Sequence, residues 1–239
     1  TIGLLQNKPE ERVYMTKYLR WYASERDQLF GGIHYTAVDA GLMKNGTLPK
    51  TDSQLHVSIM NKINAKLPTP TVFHGKSTFY FHRAFIYWLK SYGFMPYFYN
   101  ERDKSTISRH HMRIVNVDSE SSARLIVGIL NSSTYYLYTL AYSDCRNITE
   151  ANVTEFPFGL GELPTELYRR ILDLSDALMQ DLQKNSTIRT IDSGRTGKVS
   201  YQEFYVKQSK PIIDQIDTVL ARHYGFSDEE LDYIINYDI

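Results

Sequence analysis

The stretch from Asn131 to Phe158, NSSTYYLYTLAYSDCRNITEANVTEFPF, limits the fold more than any other part of the chain. It joins an apolar aromatic run to a tight polar turn and a defined exit. Tyr135, Tyr136, Leu137, Tyr138, Leu140, Ala141 and Tyr142 recur without a period of two. A buried helix and a buried strand both fit, and a helix with one crowded face is the preferred reading. Ser143-Asp144-Cys145-Arg146-Asn147 then halts the run with side chains that bond their own backbone in turns, and Pro157 closes the segment by removing a backbone donor.

Other elements are placed around this stretch by spacing. Residues 9 to 30 read as a helix, with Pro9 in the first turn and Val13, Tyr14, Tyr18, Trp21, Tyr22 and Leu29 near helical spacing. Lys17, Arg20 and Arg26 lie on it as phosphate contacts or as a solvated face. The Asn-Gly pair in Lys44-Asn45-Gly46-Thr47 predicts a hairpin turn. Leu55, Ile59, Ile63 and Leu67 predict a helix over 53–67, stopped by Pro68 and Pro70. Phe79 and Phe81 alternate with Tyr80 and His82 as in a strand with one buried face, which fits a DNA-reading strand or an ordinary core strand. Ile114, Val115 and Val117 suggest another strand, and Ser121 to Leu130 a helix. Beyond Pro157, Leu167, Ile171, Leu174, Leu178 and Leu182 form an apolar helical stripe. Lys184 to Gly197 reads as a polar linker, Ile212 to Leu220 as a second stripe, and Ser227 and Glu230 as the capping box of a last helix. The expectation is an α+β chain: a mixed domain over residues 1–160 and a helical appendage over 161–239 packing on it.

The lone Cys145 excludes an internal disulfide framework. No apolar run approaches the roughly 18 residues of a membrane span, and the sequence shows no basic-then-apolar leader. These features predict a soluble cytoplasmic module without a membrane partner, in which the sequons at Asn45, Asn131, Asn147, Asn152 and Asn185 are chance. The formal net charge is +0, yet its distribution is uneven. Residues 74–113 hold Lys76, Arg83, Lys90, Arg102, Lys104, Arg109 and Arg113 against Glu101 and Asp103, with His74, His82, His110 and His111 besides. Residues 225–239 hold five acids and no base. Only the first of these regions suits phosphates.

The residues whose types permit contact with double-stranded DNA, the partner that the resemblance described below implies, are Lys76, Arg83, Asn100, Arg102, Lys104, Arg109, His110, Arg113 and Arg146. Arg can bond guanine and Asn adenine through two hydrogen bonds each, and Ser105, Thr106 and Ser108 add hydroxyls suited to phosphate. An ordinary solvated loop is the competing reading of Tyr99 to Arg113. At the turn, Arg146 either contacts phosphate with Asp144 orienting it, or the two serve as an ion-pair and capping device.

Three ordered phrases carry a resemblance: the NSS-aromatic run leading to SDCR and Phe-Pro; Tyr87-Trp88 with PYFYNERD at Pro96 to Asp103; and GKVSYQEFYVKQSKPIIDQID continuing to HYGFSDEELDYIINYDI. Together they resemble the target-recognition region of fused restriction-modification enzymes and N6-adenine DNA methyltransferases of the type IIG kind, over most of residues 13–239. The resemblance implies the sequence-specific DNA-binding portion of such a methyltransferase, beginning inside its parent. An upstream domain of the same polypeptide would bind S-adenosylmethionine and flip the adenine. This chain itself implies no cofactor. It has no Asn-Pro-Pro, and its one G-x-G, Gly159-Leu160-Gly161, follows Pro157 rather than a strand. Whether the parent also cleaves DNA stays open. The alternative is a protein-interaction module that docks a methyltransferase or restriction subunit without touching DNA.

Four patterns look like sites on weaker grounds. Asp192 to Phe204 imitates a calcium loop, but Gly194 and Thr196 stand where carboxylates belong. Gly194 and Gly197 before Lys198 are too close for a phosphate-binding P-loop. His110-His111 with His74 or His82 lacks a supporting Cys pair for metal. Asp118 and Glu120 have only loose spacing for a nuclease.

Overall fold

The computed structural model describes residues 12–19, 22–28, 30–84, 90–108, 111–194 and 197–237. Its first element departs from the expected helix over 9–30. Strand β1 (Arg12–Met15) pairs antiparallel with β2 (Thr36–Asp39), Val13 opposite Val38, and the described residues between them hold a 3-10 turn at Ala23–Gln28. The β-branched and aromatic residues of β1 gain a ladder and a buried face from β2, and that long-range pairing overrides their helix-like spacing. The 44–47 turn forms as expected. Asn45 and Gly46 take φ of 48° and 75°, and Lys44 and Thr47 pair across it. Helix α1 (Gln54–Asn64) starts where the Ser53 hydroxyl accepts the His56 N–H and buries Val57, Ile59, Met60 and Ile63.

Four strands follow: β3 (Ser77–His82), β4 (Ser91–Tyr92), β5 (Phe98–Asn100) and β6 (Met112–Val117). β3 lies between β4 and β6 in one antiparallel sheet. Phe79, Phe81, Val115 and Val117 face inward and are all but fully buried, as alternation requires. Gly75 precedes β3 at φ 137°, and a Cβ there would stand 2.5 Å from the Val117 carbonyl oxygen; only glycine lets the chain enter the sheet here.

Helix α2 (Glu120–Leu130) covers that inward face, and α3 (Ser133–Tyr142) follows almost at once. Ser119 and Ser132 cap them, each hydroxyl accepting a first-turn amide. Residues 134–141 of α3 are all buried. The Tyr135 and Tyr138 rings each meet Phe156 edge-on with centroids 4.9 Å apart, so this helix crosses the core with crowded aromatics in place of a solvent face. A short α4 (Glu150–Thr154) is closed by a Thr149–Asn152 capping box.

The expected stripes lie on α5 (Thr165–Lys184) and α6 (Lys210–Tyr224), with the Ser227–Glu230 capping box opening α7 (Asp228–Ile235). Against α2, α5 approaches closely at Gly128. A Cβ on Gly128 would lie 3.1 Å from the Ser175 Cβ and 3.2 Å from Ile171. The Ser175 hydroxyl donates to the Arg124 carbonyl at 2.6 Å, and Arg124 forks onto Asp176. From α6 a fully buried carboxylate, Asp217, accepts the Ser133 and Thr134 amides and the Thr134 hydroxyl at 3.0, 2.8 and 2.8 Å. One hydrophobic cluster therefore runs from Met15 through α1, α2 and α3 to Ile234.

The linker expected over 184–197 is instead a strand. β7 (Ser186–Ser193) forms a hairpin with β8 (Gly197–Phe204), which also pairs with β5 in a second three-stranded sheet. Residues 187–192 are exposed on both faces. An edge strand without a buried face lacks apolar alternation, so it looks like a polar linker. Among the described residues, no helix is long and apolar enough to cross a membrane.

Candidate nucleic-acid interface

The two three-stranded sheets face each other across a groove of about 730 Å³. One wall is the face of the β4-β3-β6 sheet turned away from α2. His82 and Met112 are paired there, and Tyr92 stands opposite Tyr80. The other wall comes from β5 and the hairpin, with Phe98, Asn100, Val199 and Tyr201. Tyr92 and Phe204 meet across its floor with ring centroids 4.9 Å apart. This aromatic contact joins residues 112 positions apart in sequence and fixes the separation of the walls.

The candidate residues fall into three groups. Asn100, Arg102 and Lys104 occupy the end of β5 and the turn after it. The Asn100 carboxamide accepts the Arg102 N–H at 3.0 Å, and the Asp103 carboxylate accepts the Ser105 N–H and hydroxyl. These bonds hold the carboxyl of Asp103 below the usual carboxylate range. The Glu101 N–H donates to the Lys198 carbonyl, and Arg102 lies beside Gly197, so this turn is carried by the tip of the hairpin. Arg102 and Lys104 are both exposed.

Arg83 and Arg146 form the second group. The Arg83 N–H donates to the His111 carbonyl at 2.6 Å, its carbonyl accepts the Ile148 N–H at 2.8 Å, and Ala84 bridges to Asn147. The SDCR turn is thus pinned to the end of β3. Within it, Asp144 accepts the Arg146 and Asn147 amides at 2.8 and 2.9 Å, while the Arg146 side chain is exposed. Asp144 is the capping device, and it works through backbone rather than through an ion pair with Arg146.

Lys76 and Arg113 stand apart from the groove. Lys76 precedes β3 at the end opposite His82, roughly 20 Å away along a six-residue strand. Arg113 lies opposite Phe81 in register and shares the parity of Val115 and Val117, which is the face that α2 covers. Arg109 and His110 lie outside the described residues, as do Tyr87 and Trp88.

Two ionisable groups in the groove, His82 and Lys90, were not among the sequence candidates, and His111 of the basic segment joins them there. The alternation of β3 already places His82 opposite the buried phenylalanines. The proximity of Lys90 and His111 to it depends on the antiparallel pairing of β3 with its neighbours, which no local pattern displays. Burial and then the charge of Lys90 and His111 push the His82 imidazole down to about 4, and burial pushes Lys90 down as well.

A second cavity of about 420 Å³ lies against α3 and is lined by Lys44, Tyr138, Tyr142 and Glu155. Its cation is committed, since Lys44 donates to the Tyr138 hydroxyl at 2.8 Å and sits 5.4 Å over that ring. Comparison of the chain with protein-family models, curated proteins and solved structures gives no match.

Proposed function

We propose that this chain is a DNA target-recognition module, the specificity portion of an N6-adenine methyltransferase of the restriction-modification kind whose catalytic domain lies upstream in the same polypeptide. One observation carries the reading. Lys76, Arg83, Lys90, Lys104 and Arg146 form no ion pair with any described carboxylate, whereas Lys62, Lys66, Arg124, Arg189, Lys210 and Arg222 are each matched to one. Unmatched cations around the β4-β3-β6 sheet and in the turns beside it give this region a local positive field, although the formal net charge of the chain is +0. Duplex DNA has the complementary charge. Arg102, Lys104 and Arg146 supply salt-dependent affinity to phosphates, and Asn100 and the exposed hairpin supply groups for groove edges. A two-stranded ribbon such as β7–β8 has the width to enter a major groove.

The test is fluorescence anisotropy of a mixed-sequence duplex pool titrated with the full chain at 50 to 200 mM salt. The expected result is binding that weakens with salt. A variant with Arg102, Lys104 and Arg146 changed to Ala should lower the slope of log affinity against log salt by about 2 to 3, near 0.9 per lost phosphate contact. A folded chain with no affinity at 50 mM salt would overturn the reading and favour docking to another subunit.

A further inference from the structure

The groove holds a set of side-chain hydrogen-bond donors without acceptors among the described residues. His82 and His111 lie with their rings nearly parallel, centroids 5.3 Å apart and planes within 6°. The His82 Nδ1 accepts the Ala84 N–H at 3.2 Å, so the neutral ring carries its proton on Nε2 and presents it as a donor. Beside it, the Lys90 carbonyl accepts the His82 N–H at 2.8 Å, which holds the two residues together across the end of β3. The half-buried Lys90 ammonium has no hydrogen bond or ion pair among the described residues. A half-buried ammonium with no acceptor loses solvation without compensation.

The surrounding charges do not supply the missing acceptor. Glu203 is the one carboxylate among the described residues lining the groove, and its Oε1 is held by the Arg189 guanidinium at 2.9 Å. Tyr92 and Tyr201 line the walls, and burial pushes the Tyr92 phenol well above its usual range, so it stays neutral. Arg83, one residue beyond His82, adds positive charge. An ammonium and two imidazoles converging on a solvent-filled space of this size match the oxygens and negative charge of a phosphate group.

We propose that Lys90, His82 and His111 form a phosphate seat, which takes one backbone phosphodiester of the bound nucleic acid. This rests on the DNA reading above for its source of phosphate, but the seat's chemistry is shared with a free phosphate ion. Occupancy also couples binding to protons. The phosphate's negative charge offsets the repulsion of Lys90 and favours the imidazolium of His82. Affinity therefore rises as pH falls toward the His82 value of about 4, in the sense expected when the bound state holds protons more tightly than the free state.

Two measurements on the full chain test this. In the first, Lys90→Gln and His111→Gln are titrated with the duplex pool. Lys90→Gln should lower the salt slope by about 0.9, or ~3-fold in relative affinity between 50 and 200 mM salt, and His111→Gln, which removes one donor of the seat, should weaken duplex binding at 50 mM salt. His111 is exposed, so its variant keeps the test intact if Lys90→Gln unfolds. In the second, inorganic pyrophosphate is titrated while the imidazole resonances of the seven histidines are followed. The His82 and His111 resonances should shift together, with the other rings unchanged. Duplex binding with an unaltered slope, an unaltered affinity at 50 mM salt and unshifted imidazoles would overturn the seat and leave the DNA reading standing. Shifts with pyrophosphate in a chain that binds no duplex would establish the seat for free phosphate and overturn the DNA reading.

Discussion

Replacing Asp217 with Ala tests whether the helices after residue 160 hold α3 in place or merely lean on it. Asp217 is fully buried on α6, and its two oxygens take the first two amides of α3 and the Thr134 hydroxyl. The Tyr135 amide is taken by the Ser132 hydroxyl, and the amide of Ser132 itself donates to the Ile129 carbonyl. All four amides that a helix start leaves open are therefore satisfied, two of them by a side chain from 83 or 84 residues away. Alanine would strand two buried amides at about 1 to 3 kcal/mol each. Part of that is offset, because burial pushes the Asp217 carboxyl upward against the pull of its Thr134 and Ser133 donors, and the ionised group is itself costly to bury. The net expectation is a loss of about 3 kcal/mol. Asp217→Asn keeps one acceptor oxygen and turns an NH2 toward the Ser133 amide, for a loss of about 1.5 kcal/mol. Urea unfolding at pH 7 should show the Ala midpoint lower by about 1 M, given a slope near 3 kcal/mol per M for a chain of this size. A shift below about 0.3 M, or equal losses for Ala and Asn, would refute the argument that this carboxylate supplies the missing half of the α3 cap.

Other outcomes follow from the same geometry. Gly128→Ala should destabilise by about 1 to 3 kcal/mol in the same assay, because the added methyl meets Ser175 and Ile171 where α2 and α5 are closest. Asp52 is pushed up by burial but pulled further down by hydrogen bonds from His56 and Tyr233, for a net depression. Since the folded value lies below the unfolded one, this stability is present above about pH 4 and lost as pH falls through the folded value. Asp52→Asn should thus be destabilised at pH 7 and show a shallower acid limb in a pH series of melting temperatures. Arg113→Ala should leave the salt slope of duplex binding unchanged in the anisotropy titration, since its register puts it on the face under α2.

Much of this was legible in the sequence, and the exceptions share a cause. Stripes such as Leu167 to Leu182, caps such as Ser227–Glu230, the Asn45-Gly46 turn and the buried alternation of Phe79 and Phe81 are local patterns. They need only a period and a terminus to be recognised. What failed was pairing at a distance. Residues 12–15 became a strand because β2 lies alongside, and 186–193 because β8 does.

For the candidate site, the sequence by itself located the basic residues between His74 and Arg113 and identified Asp144 as a turn former. Only the tertiary structure sorted them. It turned Arg113 toward α2, set Lys76 at the far end of β3, and made Asn100 and Arg102 neighbours of a hairpin about a hundred residues later. It also gathered His82, Lys90 and His111 in one groove. The physical reason is that composition fixes how many charges a segment carries, whereas strand register fixes which face each one occupies and what stands opposite. A shift of one residue in the β3–β6 ladder would exchange the two faces of the sheet.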